Sequence, residues 1–154
     1  MLLVEAEVKP STIEGSGLFA CQFIKRGTLV WRFEPGLDVM LDRAELLVLP
    51  PVARKYLRHY AYLNQKTDKY ILCFDNAKYF NHSSTPNTRN VEISGQPESV
   101  DIAVRDIYPG EELTTDYAEF DAAFREKLVG VAGISGQSSK EPISGDQALK
   151  HRLE

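Results

Sequence analysis

Apolar and polar residues alternate in short runs along most of the chain, and glycine or proline separates one run from the next. A run of about five to seven residues with this pattern is typical of a β-strand. Six runs have it: Leu2–Val8, Leu18–Phe23, Leu29–Phe33, Tyr70–Phe74, Asn90–Ser94 and Val100–Val104. The pattern therefore predicts a mainly β fold in which short strands are joined by tight turns.

Residues 42–63 have a different pattern, which predicts a small helical insert. Asp42 can cap a helix that runs to Leu49, and Pro50-Pro51 then breaks it. Val52–Tyr60 can form a second helix before the strand pattern returns.

The C-terminal part changes from helix-forming to linker composition. Phe120, Phe124 and Leu128 recur at helical spacing and predict one apolar helical face. Half of residues 130–145 are Gly or Ser, a composition typical of flexible linkers. We therefore expect one domain over residues 1–129 and a flexible tail over residues 130–154, which can end in a short helix.

Length and composition agree with a single folded domain. Of the 154 residues, 43% are hydrophobic and 26% charged, as in average soluble domains. The apolar runs are far shorter than the roughly 20 residues of a membrane-spanning helix, and no signal peptide opens the chain. Cys21 and Cys73 lie in apolar strings and predict small core residues. We expect a cytoplasmic protein without membrane contact, or a nuclear one in a eukaryotic host.

Charged residues are distributed unevenly around a net charge of −4. Residues 43–89 contain eight Lys or Arg and three acids, whereas residues 98–126 contain nine acids and two Arg. The negative net charge argues against direct nucleic-acid binding, although the basic half could face phosphates. The acidic half favours a cationic partner such as a lysine-rich peptide, and ordinary solvated surfaces explain it equally well.

Three segments combine residue types that can bind a ligand. The first, Glu14–Phe19, contains two glycines around Ser16, which let the backbone approach a ligand closely, although a plain turn has the same pattern. The second, Lys78–Asn87, leads from apolar residues into Asn, His and Ser, which can hold a polar ligand or cap a turn. The third, Pro109–Tyr117, is a turn and a short strand that ends on a tyrosine suited to packing or chemistry.

Together these segments resemble the SET-domain protein-lysine methyltransferases. The similarity rests on the Ser16-bearing GxG, on Phe80-Asn81-His82-Ser83 with Pro86-Asn87, and on Gly110-Glu111-Glu112-Leu113 through Asp116-Tyr117, in the family's order. The resemblance implies a SET-domain (β-clip) fold of small curled sheets. It also implies that the segment around Asn81 threads beneath the loop carrying Tyr117 as a pseudoknot.

The resemblance further implies a cofactor, S-adenosylmethionine, and residues that bind it. By position these residues are Ser16, Gly17, Leu18, Asn81, His82 and Phe120. Asn81 and His82 would hold the methionine and adenine portions, and Phe120 would lie against the adenine.

Tyr117 takes the position of the catalytic tyrosine beside the transferring methyl group. Phe33, Tyr60 and Tyr62, with Trp31 and Tyr79 as further candidates, are available as walls of the substrate lysine channel, and core packing explains each of them as well. Only about one free lysine in 10³ is neutral at pH 7, but a nearby sulfonium and an apolar channel both lower the lysine pKa. A tyrosine hydroxyl can then orient the amine without acting as a base.

Three positions depart from the best-known branch of the family. Ser84 stands where many members have a zinc-binding cysteine, and no cysteine-rich tail follows, so no metal is expected. Thr115 replaces an aromatic residue that limits methylation, which leaves the number of methyl groups open. Phe33 or Glu34 stands where many members have a tyrosine.

The sequence thus predicts a protein-lysine methyltransferase that transfers a methyl group to a lysine of a basic protein, such as a histone or histone-like protein. The alternative is a non-catalytic SET-fold module that binds protein partners. A homodimer is plausible, because small SET proteins can pair to complete their active sites.

Overall fold

The computed structural model describes residues 1–125, and its strands are short, as predicted. The strands and helices, in chain order, are β1 (Ala6–Pro10), β2 (Ser16–Ala20), β3 (Leu29–Trp31), β4 (Val39–Leu41), α1 (Arg43–Val48), α2 (Pro51–Tyr60), β5 (Tyr62–Leu63), β6 (Tyr70–Leu72), β7 (Asn81–His82), β8 (Thr88–Val91), β9 (Val100–Ala103) and β10 (Glu112–Thr115). Single-turn 3₁₀ helices at Asn76–Tyr79 and Tyr117–Glu119 precede β7 and follow β10.

The strands form three small sheets. The largest has the order β1-β2-β10-β7, with antiparallel pairs except for the parallel pair of β10 with β7. The second has the order β3-β9-β8 and the third β4-β6-β5, both antiparallel. The last strand of the described chain therefore lies between two strands from much earlier in the sequence.

The two helices lie where the sequence predicts them. Glu45 accepts a hydrogen bond from the Asp42 backbone N–H (2.7 Å), which satisfies a donor before the first turn of α1. Pro51 begins α2, where its missing N–H costs nothing. Leu46 and Leu57 pack beneath the helices in a small apolar cluster of their own.

A separate core lies between the sheets. Its most deeply buried side chains are Leu18, Ile24, Val30, Trp31, Ile71, Ile107 and Leu113. Leu18 and Leu113 are Cα partners in the pairing of β2 with β10, so the core and the first and third sequence motifs are fixed by the same contact.

Several sequence expectations about local structure are wrong. Cys21 is exposed, because it follows β2 just after the buried Ala20 and strand alternation turns it outward. The first strand begins at Ala6, and Leu2 instead makes an isolated bridge to Trp31. Strand β8 covers Thr88–Val91 and ends before Ser94, which lies in a turn.

The C-terminal expectations are only partly within the described residues. Phe120 follows a 3₁₀ helix instead of opening an α-helix, and helical structure resumes at Phe124. Leu128 and the predicted tail over residues 130–154 lie outside the described residues. Within residues 1–125, neither helix has the length and apolar character that crossing a membrane requires.

Candidate active site

Strand β10 brings the three sequence motifs together. On one side its Leu113 pairs with Leu18, directly after the GxG segment. On the other side Thr114 and Thr115 pair in parallel with Asn81 and His82. Segments from the beginning, middle and end of the described chain thus meet at one strand.

Asn87 holds β10 in place through its side-chain amide. Its Nδ2 donates to the Glu112 carbonyl (2.7 Å), and its Oδ1 accepts from the Thr114 N–H (2.8 Å). The neighbouring Thr88 hydroxyl donates to the Thr114 carbonyl (2.9 Å). Because these backbone groups are buried, the amide replaces the partner that a further strand would provide.

Asn81 ties the second motif to the first. It is buried, and its Nδ2 donates to Glu112 Oε1 (2.8 Å) and to the carbonyls of Glu14 and Ser16 (both 3.2 Å). The same Glu112 carboxylate accepts from the Ser11 hydroxyl (2.8 Å). One buried carboxamide therefore fixes the turn that carries the GxG motif.

The two glycines of the GxG motif have different roles. Gly15 has φ of +44°, a left-handed conformation that favours glycine, and a Cβ there would meet nothing within 4 Å. A Cβ on Gly17 would lie 2.0 Å from Glu112 Oε1, so Gly17 makes room for that carboxylate. Ser16 is exposed, whereas the Leu18 side chain lies in the core and its backbone is part of the pairing of β2 with β10.

Tyr117 and His82 contact each other directly. The Tyr117 hydroxyl donates to the Phe80 carbonyl, and its backbone N–H donates to His82 Nδ1 (3.3 Å). The rings lie 5.5 Å apart. A neutral imidazole with an accepting Nδ1 carries its proton on Nε2, so His82 keeps one donor available. The Asp116 carboxylate, 3.6 Å from Nδ1, could pair with His82 only if the imidazole were protonated.

The Tyr117 hydroxyl stays neutral at physiological pH. Burial raises its pKa far above the ordinary value, and the negative charges of Glu14 and Asp121 raise it further. Tyr117 can therefore exchange hydrogen bonds with a substrate but cannot act as an ionised base.

An aromatic row extends from Tyr117 across the candidate site. The rings of Tyr117 and Phe120 lie 6.0 Å apart, and those of Phe120 and Tyr62 lie 5.0 Å apart. The Tyr62 hydroxyl donates to Glu98 (2.6 Å), whose two oxygens also accept from Asn64 Nδ2 (2.7 and 2.9 Å). Burial and the Glu98 charge raise the pKa of Tyr62 well above its usual value. Three predicted residues thus form one continuous wall.

The other two residues predicted for the channel lie elsewhere. Phe33 is buried in the core between the sheets. Tyr60 packs against Tyr56 (4.7 Å) and Tyr79 (5.8 Å), in a second aromatic group. Their roles in a channel remain predictions.

Asp121, for which no role was predicted, anchors the segment after Tyr117. This buried carboxylate accepts from the backbone N–H groups of Leu63 (3.0 Å) and Ala123 (2.9 Å). The Gln65 N–H donates to the Phe120 carbonyl (3.1 Å) and docks the same segment on β5. Only tertiary pairing identifies this role, although an acid between apolar residues is a weak signal for it.

Two surface depressions lie outside the motif residues. One, of about 370 Å³, is lined by Pro51, Arg54, Lys55 and Arg58 on α2. The other, of about 280 Å³, lies between residues 64–67 and 92–99. Within the described part of the chain, no group of three or more His, Cys, Asp or Glu side chains could hold a metal ion.

Comparisons with known proteins agree with this arrangement. The family model of the SET domain matches residues 15–118. The chain is 32% identical over 140 residues to a histone-lysine N-methyltransferase, H3 lysine-4 specific, of Cryptococcus neoformans, a match that covers 82% of this chain and 9% of that protein. It is 30% identical over 118 residues to N-lysine methyltransferase KMT5A-A of Danio rerio, a match that covers 69% of this chain and 33% of that protein. The chain thus spans about a tenth of the length of the first relative and about a third of the length of the second.

Solved structures confirm the expected fold of small sheets. A Plasmodium falciparum protein described as a histone methyltransferase aligns with a TM-score of 0.53 at 19% identity, covering 75% of this chain and 95% of that one. A humanized mutant of the Chaetomium thermophilum Polycomb Repressive Complex 2, bound to the inhibitor GSK126, aligns with a TM-score of 0.57 at 21% identity, covering 77% of this chain and 15% of that one. At these identities the likeness concerns the fold alone.

Proposed function

Because the chain belongs to the SET-domain family, we propose that it is a protein-lysine methyltransferase. The observation that carries the proposal is the meeting of the three motifs at β10, which brings Tyr117, His82 and Asn81 to one place. The two curated relatives, both named as lysine methyltransferases, support the same activity.

The proposed methyl donor is S-adenosylmethionine, and the residues present fit it. Its ammonium group needs acceptors, and the Glu14 and Ser16 carbonyls keep a lone pair after accepting from Asn81. The Thr115 hydroxyl is buried without a hydrogen-bond partner among the described residues, and the space beside Gly15 is open. When bound, the donor supplies an electrophilic methyl group on a sulfonium.

The cofactor-binding residues then act through different atoms. Ser16 and Gly17 contribute mainly backbone groups, whereas Leu18, whose side chain is in the core and which pairs with Leu113, holds them in position. Asn81 already uses Nδ2 within the protein, so its Oδ1 and backbone are the groups it offers. His82 offers Nε2.

Tyr117 is proposed to orient the lysine amine. Its hydroxyl proton is held by the Phe80 carbonyl, which leaves the oxygen lone pairs to accept an N–H of the incoming amine. Holding the amine in line with the methyl group can contribute several kcal/mol of barrier reduction.

The proposed substrate is a lysine of a basic protein of the histone or histone-like class. Residues 98–125 contain eight acids and two Arg. Among these acids, Glu98 accepts from the Tyr62 hydroxyl, and Asp116, Glu119 and Asp121 are neighbours of Tyr117 and Phe120 in the sequence. An acidic surface of this kind attracts a cationic polypeptide.

Transfer of a radiolabelled methyl group to lysine-rich proteins tests the proposal. Wild-type protein with labelled S-adenosylmethionine should label at least one basic protein, and Tyr117→Phe should reduce the rate at least tenfold. The matched control is Tyr108→Phe, because Tyr108 is exposed and contacts Phe23 instead of the site. Cofactor binding without transfer to any basic protein would favour the non-catalytic module.

A further inference from the structure

A row of three polar side chains crosses the second sheet on one face. Asp101 in the central strand β9 is the Cα partner of Trp31 in β3 and of Asn90 in β8. Paired residues on neighbouring strands project to the same face, so Trp31 and Asn90 flank Asp101. Of the three, only Trp31 was a candidate wall of the predicted lysine channel.

The hydrogen bonds in this row are incomplete. Asp101 is 9% exposed, and among the described residues Asn90 is the one whose side chain donates to its carboxylate, at 3.3 Å. The Trp31 Nε1–H is buried without a partner in the same part of the chain. Buried polar groups are nearly always paired, so a long bond to a carboxylate beside an unpaired donor indicates a place for a polar ligand.

The row lies beside the aromatic wall of the candidate active site. The Asn90 N–H donates to Glu119 (3.1 Å), two residues after Tyr117. The Asp101 charge also acts on Tyr62 of β5, in addition to the stronger effect of Glu98. The row is therefore near Tyr62 through Asp101, and Asn90 connects it to Glu119 in the segment after Tyr117.

The charged groups around Asp101 come from several elements. Burial raises the Asp101 pKa to about 6, the Asn90 hydrogen bond lowers it, Glu119 raises it, and the Met1 ammonium lowers it. The Cys73 thiol, after β6, also lies within range of the Asp101 charge and has a raised pKa, mainly through burial. At neutral pH Asp101 is thus an anion beside two neutral titratable groups, Tyr62 and Cys73.

We propose that Asp101, flanked by Trp31 and Asn90, is a specificity-determining residue that accepts hydrogen bonds from the amine or ammonium group of the substrate lysine. The inference rests on the proposed methyltransferase function. The lysine loses its ammonium proton to solvent before it attacks, the N–C bond then forms as the S–C bond breaks, and the positive charge moves from sulfur to nitrogen. From the neutral amine onward the carboxylate therefore stabilises substrate and transition state alike. Such uniform stabilisation lowers KM more than it raises kcat. It also favours a lysine that retains N–H donors over trimethyllysine.

The test compares Asp101→Asn with wild type on the protein labelled most strongly in the transfer assay. At pH 8 the variant should have KM raised at least fivefold with a smaller change in kcat. Wild-type kcat/KM should fall below pH about 6 as Asp101 takes up a proton, and the variant should lack this step. Asp106→Asn, at an exposed position whose Oδ1 can still accept from Arg26 N–H, should match wild type.

A second measurement uses wild-type protein alone, so it tests the proposal even if Asp101→Asn fails to fold. A peptide around the modified lysine should bind more tightly than its norleucine analogue at pH 8, and this preference should shrink at least threefold at pH 5. A preference independent of pH, or equal KM values and pH profiles for variant and wild type, would overturn the role of Asp101 while leaving methyl transfer intact. Absence of transfer by wild type would overturn both proposals.

Discussion

Two buried regions of this molecule differ in how completely their polar groups are hydrogen-bonded. Around β10, the amides of Asn87 and Asn81 have short hydrogen bonds to backbone groups and to Glu112. In the row across β3, β9 and β8, Asp101 has one long side-chain bond, and Trp31 Nε1 has no partner among the described residues.

The contrast distinguishes polar groups that position the backbone from polar groups that are available to bind a ligand. A fully paired network fixes the geometry of the backbone, because any displacement leaves a buried group unpaired. A buried polar group that lacks hydrogen-bond partners lowers the stability of the fold until a ligand supplies them. The Thr115 hydroxyl, at the end of β10, is also unpaired within the described residues.

Breaking the paired region should have the largest effect on stability. Asn87→Ala removes the partners of the Glu112 carbonyl and the Thr114 N–H, at a cost of about 1–3 kcal/mol for each buried group. We expect the free energy of unfolding to fall by about 3–5 kcal/mol in guanidinium titration. Asn76→Ala, at an exposed position, should change it little. A loss below about 1 kcal/mol for Asn87→Ala would show that the amide is not essential to β10.

Neutralising the unpaired region should instead stabilise the fold. The folded-state pKa of Asp101, about 6, lies above the roughly 3.9 of an unfolded aspartate, so its ionised form lowers stability above pH 6. Asp101→Asn should therefore raise the free energy of unfolding by about 2 kcal/mol at pH 8. The gain should disappear as the pH falls through 6 towards 4. A variant less stable than wild type at pH 8 would mean that the carboxylate has stronger partners than Asn90.

Gly17→Ala tests the paired region at a single point, because it disturbs the side chain of Glu112. The added Cβ would displace the Glu112 carboxylate from Ser11 and Asn81. We expect a loss of about 1–2 kcal/mol in unfolding free energy and a larger loss of methyl transfer. Glu112→Gln keeps the side-chain shape and should cost less. Equal stability of Gly17→Ala and wild type would show that Glu112 relocates without penalty.

The smallest effect is expected at Tyr62 in β5. Tyr62→Phe removes one hydrogen bond to Glu98, whose oxygens still accept from Asn64. A loss of about 1 kcal/mol in unfolding free energy is expected, independent of pH between 6 and 9 because Tyr62 stays neutral there. Tyr56→Phe, at an exposed position on α2, is the control.

Local signals made some elements predictable from the sequence. Asp42 and Pro51 mark the starts of α1 and α2, and both helices lie within one residue of the predicted bounds. Strands β5 and β7 have only two residues each and are defined by their partners, so no local pattern could reveal them.

The candidate site was predictable only where a motif carried it. Tyr117, Phe120 and Tyr62 do form one aromatic row, but Asn87 was named in a motif without a role. Asp101 follows Val100 in a predicted strand, and strand alternation would give these residues opposite faces. Both are buried, which means that the sheet is covered on both faces at this point of β9.

The position of β10 between β2 and β7 has a consequence for how the chain folds. Its partners come from the start and the middle of the sequence, and parallel pairing with β7 requires closure of a long loop. Contacts this distant in sequence form slowly. During synthesis, the three motifs therefore cannot meet until the Tyr117 segment has left the ribosome, so a prematurely terminated chain would expose unpaired strand edges.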